Sequence, residues 1–128
     1  MGPNSVRSPQ HCPVLIVEDD ADLREMMAQL LTLEGFRTET VANGRDALAY
    51  LQKGDYPEVI LLDLMMPVMD GWEFRRRQVE DPALSTVPVV VLSALDQGRA
   101  IDLDGAAFLK KPLDFDRLLT LVREYCAR

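Results

Sequence analysis

The sequence has few features that would suit a disulfide-rich, membrane-spanning or nucleic-acid-binding protein. It has two cysteines, Cys12 and Cys126, and no Cys-x-x-Cys pair, so neither a disulfide framework nor a cysteine metal site is indicated. We expect both to be small buried residues at the ends of structural elements. No apolar run is long enough to cross a membrane. The net charge of −7 disfavours direct binding to the phosphate backbone of nucleic acids.

The N-terminal segment is also poor in apolar residues. Residues 1–12 contain no apolar stretch that could serve as a signal peptide, which predicts a flexible leader and a cytoplasmic protein. His11, the single histidine, lies in this leader with no second ligand nearby, and we assign it no function. Residues 13–128 are predicted to form one globular domain, because the length and composition are typical of a single core.

Short apolar runs alternate with helix-period segments along the chain. Val14–Val17, Val59–Leu62 and Val89–Leu92 are continuously apolar, which is typical of strands covered on both faces. Residues 36–41 alternate as in a half-covered strand, and Ala106–Leu109 forms a brief fifth run. Between these runs, apolar residues recur at helical spacing. The pattern predicts an α/β fold, a doubly wound five-stranded parallel sheet with about five helices.

Polar residues follow four of these five strands. Three acids come after the first strand, and single polar residues come at the ends of the third, fourth and fifth; in order these are Glu18, Asp19, Asp20, Asp63, Ser93 and Lys111. In an open parallel sheet the carboxyl ends of the strands share one edge, where ligands bind. The sequence therefore predicts that these side chains gather there.

This set of residue types suits phosphoryl transfer. Neighbouring carboxylates repel each other, and a hard divalent cation such as Mg²⁺ relieves that repulsion. A lysine can pair with a phosphoryl oxygen, a hydroxyl can donate a hydrogen bond, and a carboxylate can act as the nucleophile. Taken singly, the acids could cap a helix, the serine could be an ordinary strand end and Lys110-Lys111 could be solvated. Their joint placement favours the functional interpretation.

From Pro13 to Ala127 the chain resembles the receiver domain of two-component response regulators. The resemblance rests on four motifs in order, namely VLIVEDD at 14–20, VILLDLMMPVMDG at 59–71, VVVLSA at 89–94 and FLKKP at 108–112. It implies a flavodoxin-like sheet of strand order 2-1-3-4-5. It also implies a signalling domain, not an enzyme, that receives a phosphoryl group from a sensor histidine kinase or a phosphotransfer protein and controls a downstream target.

The resemblance also implies a role for each site residue. Asp63 is expected to accept the phosphoryl group, and Mg²⁺ is expected to bind Asp19, Asp63, the backbone carbonyl of Met65 and, through water, Glu18. Asp20 is left outside this set. Ser93 and Lys111 are expected to contact the phosphoryl group, Lys110 to point elsewhere, and the Lys111–Pro112 bond to be cis. Phe108 is expected to be the aromatic switch that moves together with Ser93.

One departure from the family lies between Ser93 and Lys111, which are 18 positions apart and thus closer than is usual. The shortening falls in residues 94–107, where the family has its fourth helix, so we expect that helix to be shortened, distorted or melted.

Two alternatives to a working receiver remain open. One is a receiver-like interaction module that signals without phosphorylation, and the other is a phosphatase with an aspartyl nucleophile. The phosphatase pattern requires a second Asp where this chain has Met65. Both a stand-alone receiver and part of a longer regulator or hybrid kinase fit this sequence.

Overall fold

The computed structural model describes residues 12–54, 56–94 and 106–127, and this part of the chain contains five strands and four helices. In chain order these are β1 (Pro13–Val17), α1 (Ala21–Leu33), β2 (Arg37–Val41), α2 (Gly44–Gln52), β3 (Val59–Asp63), α3 (Gly71–Glu80), β4 (Val89–Ser93), β5 (Ala107–Lys110) and α4 (Phe115–Cys126). All strand pairs are parallel, and the strand order is β2-β1-β3-β4-β5. The predicted fold class and strand order are confirmed.

The core lies on both faces of the sheet. Successive strand residues point to opposite faces, so Leu15 and Val17 of β1 pack on the side of α2 and α3. Val14 and Ile16 pack on the opposite side, against α1 and α4. Every residue of β3 and of β4 is buried, which explains why these two strands are apolar up to their last residues. β2 lies at the edge of the sheet and has three exposed and two partly buried residues, so its exposure does not follow the strict alternation of its sequence.

Each helix begins at a side chain that caps its free backbone N–H groups. The capping oxygens accept hydrogen bonds from N–H groups of the first turn, and they belong to Asp20, Asn43, Asp70 and Asp114. The chain leaves α1 through Gly35, whose φ of 94° lies in the left-handed region that glycine adopts without strain.

Two predictions fall outside the described residues. The shortened helix was predicted within residues 94–107, of which 95–105 lie outside the described ranges. Residues 1–11 of the predicted leader lie outside them as well. The division into a leader of residues 1–12 and a domain of residues 13–128 therefore stays a prediction.

The prediction for the cysteines was wrong in one respect. Both are buried at element ends, as expected, Cys12 just before β1 and Cys126 as the last residue of α4. They are, however, joined in a disulfide with their Cα atoms 5.8 Å apart. The sequence does not reveal this pairing because 114 positions separate the two residues. Only the packing of α4 beside the entrance to β1 brings them together.

No helix within the described ranges combines the length and the apolar character that crossing a bilayer requires.

Candidate functional site

The carboxyl edge of the sheet gathers the polar residues that the sequence predicts there. Glu18 directly follows β1, Asp63 and Ser93 are the last residues of β3 and β4, and Lys111 directly follows β5. Because β1, β3, β4 and β5 are parallel neighbours, the four residues converge from four consecutive strands. β2 contributes no acid, serine or lysine at its end, which matches its place at the far edge.

Three carboxylates form the acidic part of the site. Glu18, Asp19 and Asp63 each offer one oxygen, and the three oxygens lie within 4.8 Å of one another. Glu18 is completely buried and Asp63 is 4% exposed, whereas Asp19 is open to solvent. Clustered carboxylate oxygens with one solvent-facing side are the kind of donor set that Mg²⁺ prefers. The residues present therefore fit a hard divalent cation.

Lys111 supplies the opposing charge. Its ammonium nitrogen lies 2.9 Å from Glu18 Oε1 and 3.3 Å from Asp63 Oδ1. The backbone N–H of Lys111 donates to the carbonyl oxygen of Ser93 at 2.8 Å, which fixes Lys111 beside the end of β4. The Lys111–Pro112 bond is cis, as the family resemblance implied. Lys110, the last residue of β5, is exposed.

The surroundings of Asp63 perturb its protonation. Burial, followed by the negative charge of Glu18, raises the pKa of Asp63 to about 7, and the nearby Lys111 only partly opposes this shift. Burial lowers the pKa of Lys111, but its hydrogen bond to Glu18 and the charge of Asp63 outweigh burial, so its pKa lies above the ordinary value. The site thus holds a permanent cation beside a carboxyl group that titrates near neutrality.

The loop that follows β3 lies close against Asp63. The backbone N–H of Met65 donates to Asp63 Oδ1 at 3.4 Å, and the N–H of Gly71 donates to the Leu64 carbonyl at 2.9 Å. A Cβ atom on Gly71 would lie 2.6 Å from the backbone oxygen of Asp63. Glycine is therefore required here by space, because α3 begins directly beneath the backbone of the site.

Arg24 of α1 supports the site, although the sequence did not single it out. Its Nη1 donates to the backbone carbonyl of Glu18 at 2.8 Å, and the backbone N–H of Glu18 donates to the Val41 carbonyl at 3.1 Å. The N–H of Asp20 donates to Glu18 Oε2 at 3.2 Å. Glu18 is thus held through its backbone and its carboxylate. A basic residue six positions after an acid at a strand end was the available signal, but basic residues are also frequent on exposed helix surfaces.

Three further residues were singled out from the sequence. Ser93 is buried at the end of β4, within the described edge. Phe108 lies in β5, half buried and packed against the core on the side of α2 and α3. Asp20 accepts two N–H groups as the cap of α1. The switch roles of Ser93 and Phe108 stay predictions.

Comparison with known proteins identifies related sequences and folds. Residues 14–123 match the family described as the response regulator receiver domain. The chain is 36% identical over 121 residues to the transcriptional regulatory protein TcrA of Mycobacterium tuberculosis, covering 90% of this chain and 46% of TcrA. It is 40% identical over 116 residues to the response regulator PleD of Caulobacter vibrioides, covering 86% of this chain and 25% of PleD. The chain thus spans half or less of the length of these two relatives.

Solved structures show the same fold. The signal receiver domain of a signal transduction histidine kinase from Syntrophus aciditrophicus superposes with a TM-score of 0.83 at 33% identity, covering 90% of this chain and 89% of that one. The chemotaxis response regulator CheY4 of Vibrio cholerae superposes with a TM-score of 0.80 at 31% identity, covering 89% of this chain and 98% of that one.

Proposed function

Because this chain belongs to the receiver-domain family of two-component response regulators, we propose that it accepts a phosphoryl group on Asp63. The donor is the phosphohistidine of a sensor histidine kinase or of a phosphotransfer protein. The phosphorylated domain then changes conformation and controls a downstream partner. The domain is a stoichiometric acceptor in this scheme, not an enzyme that turns over a separate substrate.

One observation carries this proposal. Lys111 Nζ lies 3.3 Å from Asp63 Oδ1, and the carboxylate oxygens of Glu18 and Asp19 lie within 4.8 Å of an oxygen of Asp63. A nucleophilic carboxylate, a fixed ammonium and two further acids thus share one small site. Phosphoryl transfer needs positioning and charge neutralisation more than any other contribution from the protein, and this site offers both.

Each residue has a distinct part in the transfer. Ionised Asp63 attacks the phosphorus atom with one oxygen while the bond from phosphorus to the donor imidazole breaks. Lys111 pairs with an oxygen of the phosphoryl group, and the hydroxyl of Ser93 donates a hydrogen bond to another oxygen. The ring of Phe108 moves when Ser93 is displaced toward the phosphoryl group. These contacts hold the group after transfer and thereby define the switched state.

Glu18 and Asp19, together with Asp63 and the backbone carbonyl of Met65, would hold Mg²⁺. When bound, Mg²⁺ neutralises charge on the acids and on the transferring phosphoryl oxygens. The family resemblance implies that Glu18 would hold the ion through water and that Asp19 and Asp63 would hold it directly.

The remaining parts of the proposal concern partners and location. A kinase that draws its phosphoryl group from ATP works in the cytoplasm, and we place this domain there. The net charge of −7 supports a protein partner and not direct contact with nucleic acid. The receiver domain is proposed to span residues 13–128, preceded by a flexible leader of residues 1–12.

Phosphorylation by a small phosphodonor tests the proposal. The full chain is incubated with acetyl phosphate, with Mg²⁺ or with a chelator, and its intact mass is followed over time. We expect one added phosphoryl group that requires Mg²⁺ and is lost in Asp63→Asn. The control Asp116→Asn removes an exposed carboxylate of α4 and should leave phosphorylation unchanged. A chain that stays unmodified while it still binds a partner would support the phosphorylation-independent alternative instead.

A further inference from the structure

The disulfide between Cys12 and Cys126 connects two distant parts of the fold. Cys12 stands immediately before β1, and Cys126 is the last residue of α4. Their Cα separation of 5.8 Å lies within the usual range for disulfides. Both residues belong to the core on the face of α1 and α4, where they are 0% and 7% exposed. The backbone positions them for bonding without displacement.

The disulfide restrains the C-terminal end of α4, whose N-terminal end is capped by Asp114. α4 starts at its cap Asp114, three residues after Lys111 of the functional site. Near its other end, Arg123 forms an ion pair with Glu34, which follows α1. This pair is exposed on both sides, and exposed ion pairs contribute little to stability. The disulfide therefore adds a covalent restraint to the last turn of α4.

A disulfide has a particular meaning in a reducing compartment. Stable disulfides are rare in the cytoplasm, where those that do form are usually transient or redox-sensing. This step rests on the cytoplasmic location given under Proposed function. We propose that Cys12 and Cys126 form a reversible redox pair, a clamp that closes on α4 under oxidising conditions and opens under reducing ones.

The chemistry balances with a low-molecular-weight disulfide such as glutathione disulfide as the oxidant. The thiolate of Cys126 attacks one sulfur of glutathione disulfide and releases one glutathione thiolate. The thiolate of Cys12 then attacks the sulfur of Cys126 in the mixed disulfide, which forms the protein disulfide and releases the second glutathione. Two protein thiols are oxidised and one glutathione disulfide is reduced to two glutathione thiols. Excess glutathione reverses both steps.

Access to the bond depends on the end of α4. Cys12 is completely buried, whereas Cys126 is slightly exposed in the final turn of its helix. Terminal turns open at little cost compared with the core. Cys126 is thus the residue that meets glutathione first, and Cys12 resolves the mixed disulfide from inside. The clamp can respond while the rest of the domain stays folded.

Closing the clamp restricts the unfolded chain far more than the folded one. The two cysteines are 114 positions apart, so the bond closes nearly the whole domain into one loop. For loops of about 100 residues the chain-entropy model predicts a stabilisation on the order of a thousand-fold in the unfolding equilibrium. The protection of backbone amides in the last turn of α4 against hydrogen exchange should rise as well.

The experiment uses the full chain in mixtures of reduced and oxidised glutathione. Free thiols are alkylated under acid quench and counted by intact mass, and urea unfolding is measured in the most oxidising and the most reducing mixture. We expect the folded wild type to convert between two free thiols and none, and to unfold at higher urea when oxidised. Cys12→Ala and Cys126→Ala should show no such redox-dependent shift, whatever their own stability.

The proposal is overturned by any of three results. Both thiols could stay free in the folded chain under oxidising glutathione. The bond could resist reduction until the chain unfolds, which would make it a permanent structural link. The urea midpoints of the oxidised and reduced wild type could coincide. Neither Asp63 nor a phosphodonor enters this experiment, so its failure is distinct from a failure to accept a phosphoryl group.

Discussion

At the scale of single residues, the site holds its nucleophile at a cost to stability. Asp63 is nearly buried beside the completely buried Glu18, and the single ammonium of Lys111 lies within 3.3 Å of both carboxylates. Two buried carboxylates that share one lysine are under-neutralised. Burial, followed by the negative charge of Glu18, raises the pKa of Asp63 to about 7, and the charge of Lys111 only partly opposes this shift. Function and stability therefore oppose each other at this residue.

The stability of Asp63→Asn should depend on pH in a defined direction. Between the ordinary pKa of 3.8 and about 7, folded Asp63 keeps a proton that the unfolded chain has released, so the free energy of unfolding falls as pH rises through this window. The amide of the variant does not titrate in this range. The free energy of unfolding of the variant should therefore exceed that of wild type by on the order of 2–4 kcal/mol above the window and should equal it below the window. Urea unfolding in a chelator at several pH values measures this. An equal difference at acid and neutral pH would contradict the assignment.

Lys111 and Lys110 form a matched pair for testing the phosphoryl contact. Lys111 contacts Glu18 and Asp63, whereas its neighbour Lys110 is exposed at the end of β5. Removing one charged group that stabilises a reacting oxyanion typically costs a factor of about 100 in rate. We expect Lys111→Ala to slow acetyl phosphate transfer to about that extent and Lys110→Ala to change it little. Equal rates in the two variants would show that the ammonium of Lys111 has no part in the transfer.

The sequence predicts site residues well where a polar residue ends an apolar run. Asp63 follows four aliphatic residues, and parallel strands end at a common edge, so its place was predictable. Arg24 was not predictable in the same way, because its role depends on which backbone carbonyl its flexible side chain reaches. The same holds for Cys126, whose pairing with Cys12 depends on how α4 packs.

At the scale of elements, the loop between β3 and α3 contains a strained residue. Val68 has a φ of 72°, which is unfavourable for an L-residue and especially for a β-branched one. Its side chain is 68% exposed, so little apolar burial compensates for that conformation. The strain lies in the loop that carries Met65 past Asp63.

Val68→Gly should stabilise the domain. Glycine adopts positive φ without a steric penalty, and we expect a gain of about 1 kcal/mol after its greater entropy in the unfolded chain is subtracted. Val68→Ala keeps a Cβ atom and should recover clearly less of the strain. Chemical denaturation of the three proteins side by side measures this. A loss of stability in Val68→Gly would mean that the valine side chain contributes contacts that exceed the strain.

Gln78 attaches the segment between α3 and β4, residues 81–88, to α3. Its completely buried amide donates to the carbonyls of Leu84 and Val87 at 2.9 and 3.0 Å, and its oxygen accepts from Arg75 Nη1 at 2.7 Å. Gln78→Ala removes these three hydrogen bonds from the interior, and we expect a loss of about 3 kcal/mol in the free energy of unfolding.

The control for Gln78 is Gln29→Ala on the exposed surface of α1. Within the described ranges, Gln29 is exposed and its side chain makes one hydrogen bond, to Glu25 at 3.4 Å, so its loss should cost less than about 0.5 kcal/mol. Equal costs for the two substitutions in thermal or urea unfolding would remove the structural role assigned to Gln78.

Periodicity predicted the elements of this fold because its strands differ so clearly from its helices. β3 and β4 are apolar at every position except their last residues, Asp63 and Ser93, and α4 has apolar residues at helical spacing. Gln78 shows the limit of such a reading. A glutamine in a helix is typical of an exposed surface. Gln78 is buried because residues 81–88 fold back over α3, which the sequence does not show.

At the scale of the whole molecule, the sheet joins the site to the two helical layers. β5 leads into Lys111, and Asp114 then caps α4, which packs on the face opposite α2 and α3. A displacement of Lys111 can therefore reach α4 through the few residues that join them. The far end of α4 is bonded to Cys12 through Cys126. This arrangement connects the proposed phosphoryl chemistry and the proposed redox clamp through one helix.

Asp63 is proposed to be the residue that carries the phosphoryl group, and chemical trapping tests this directly. After reaction with acetyl phosphate and Mg²⁺, borohydride reduction converts an aspartyl phosphate into homoserine, which peptide mass spectrometry then locates. We expect homoserine at position 63 and at no other acidic residue. Homoserine at Asp19 or at an exposed carboxylate, with position 63 unmodified, would contradict it.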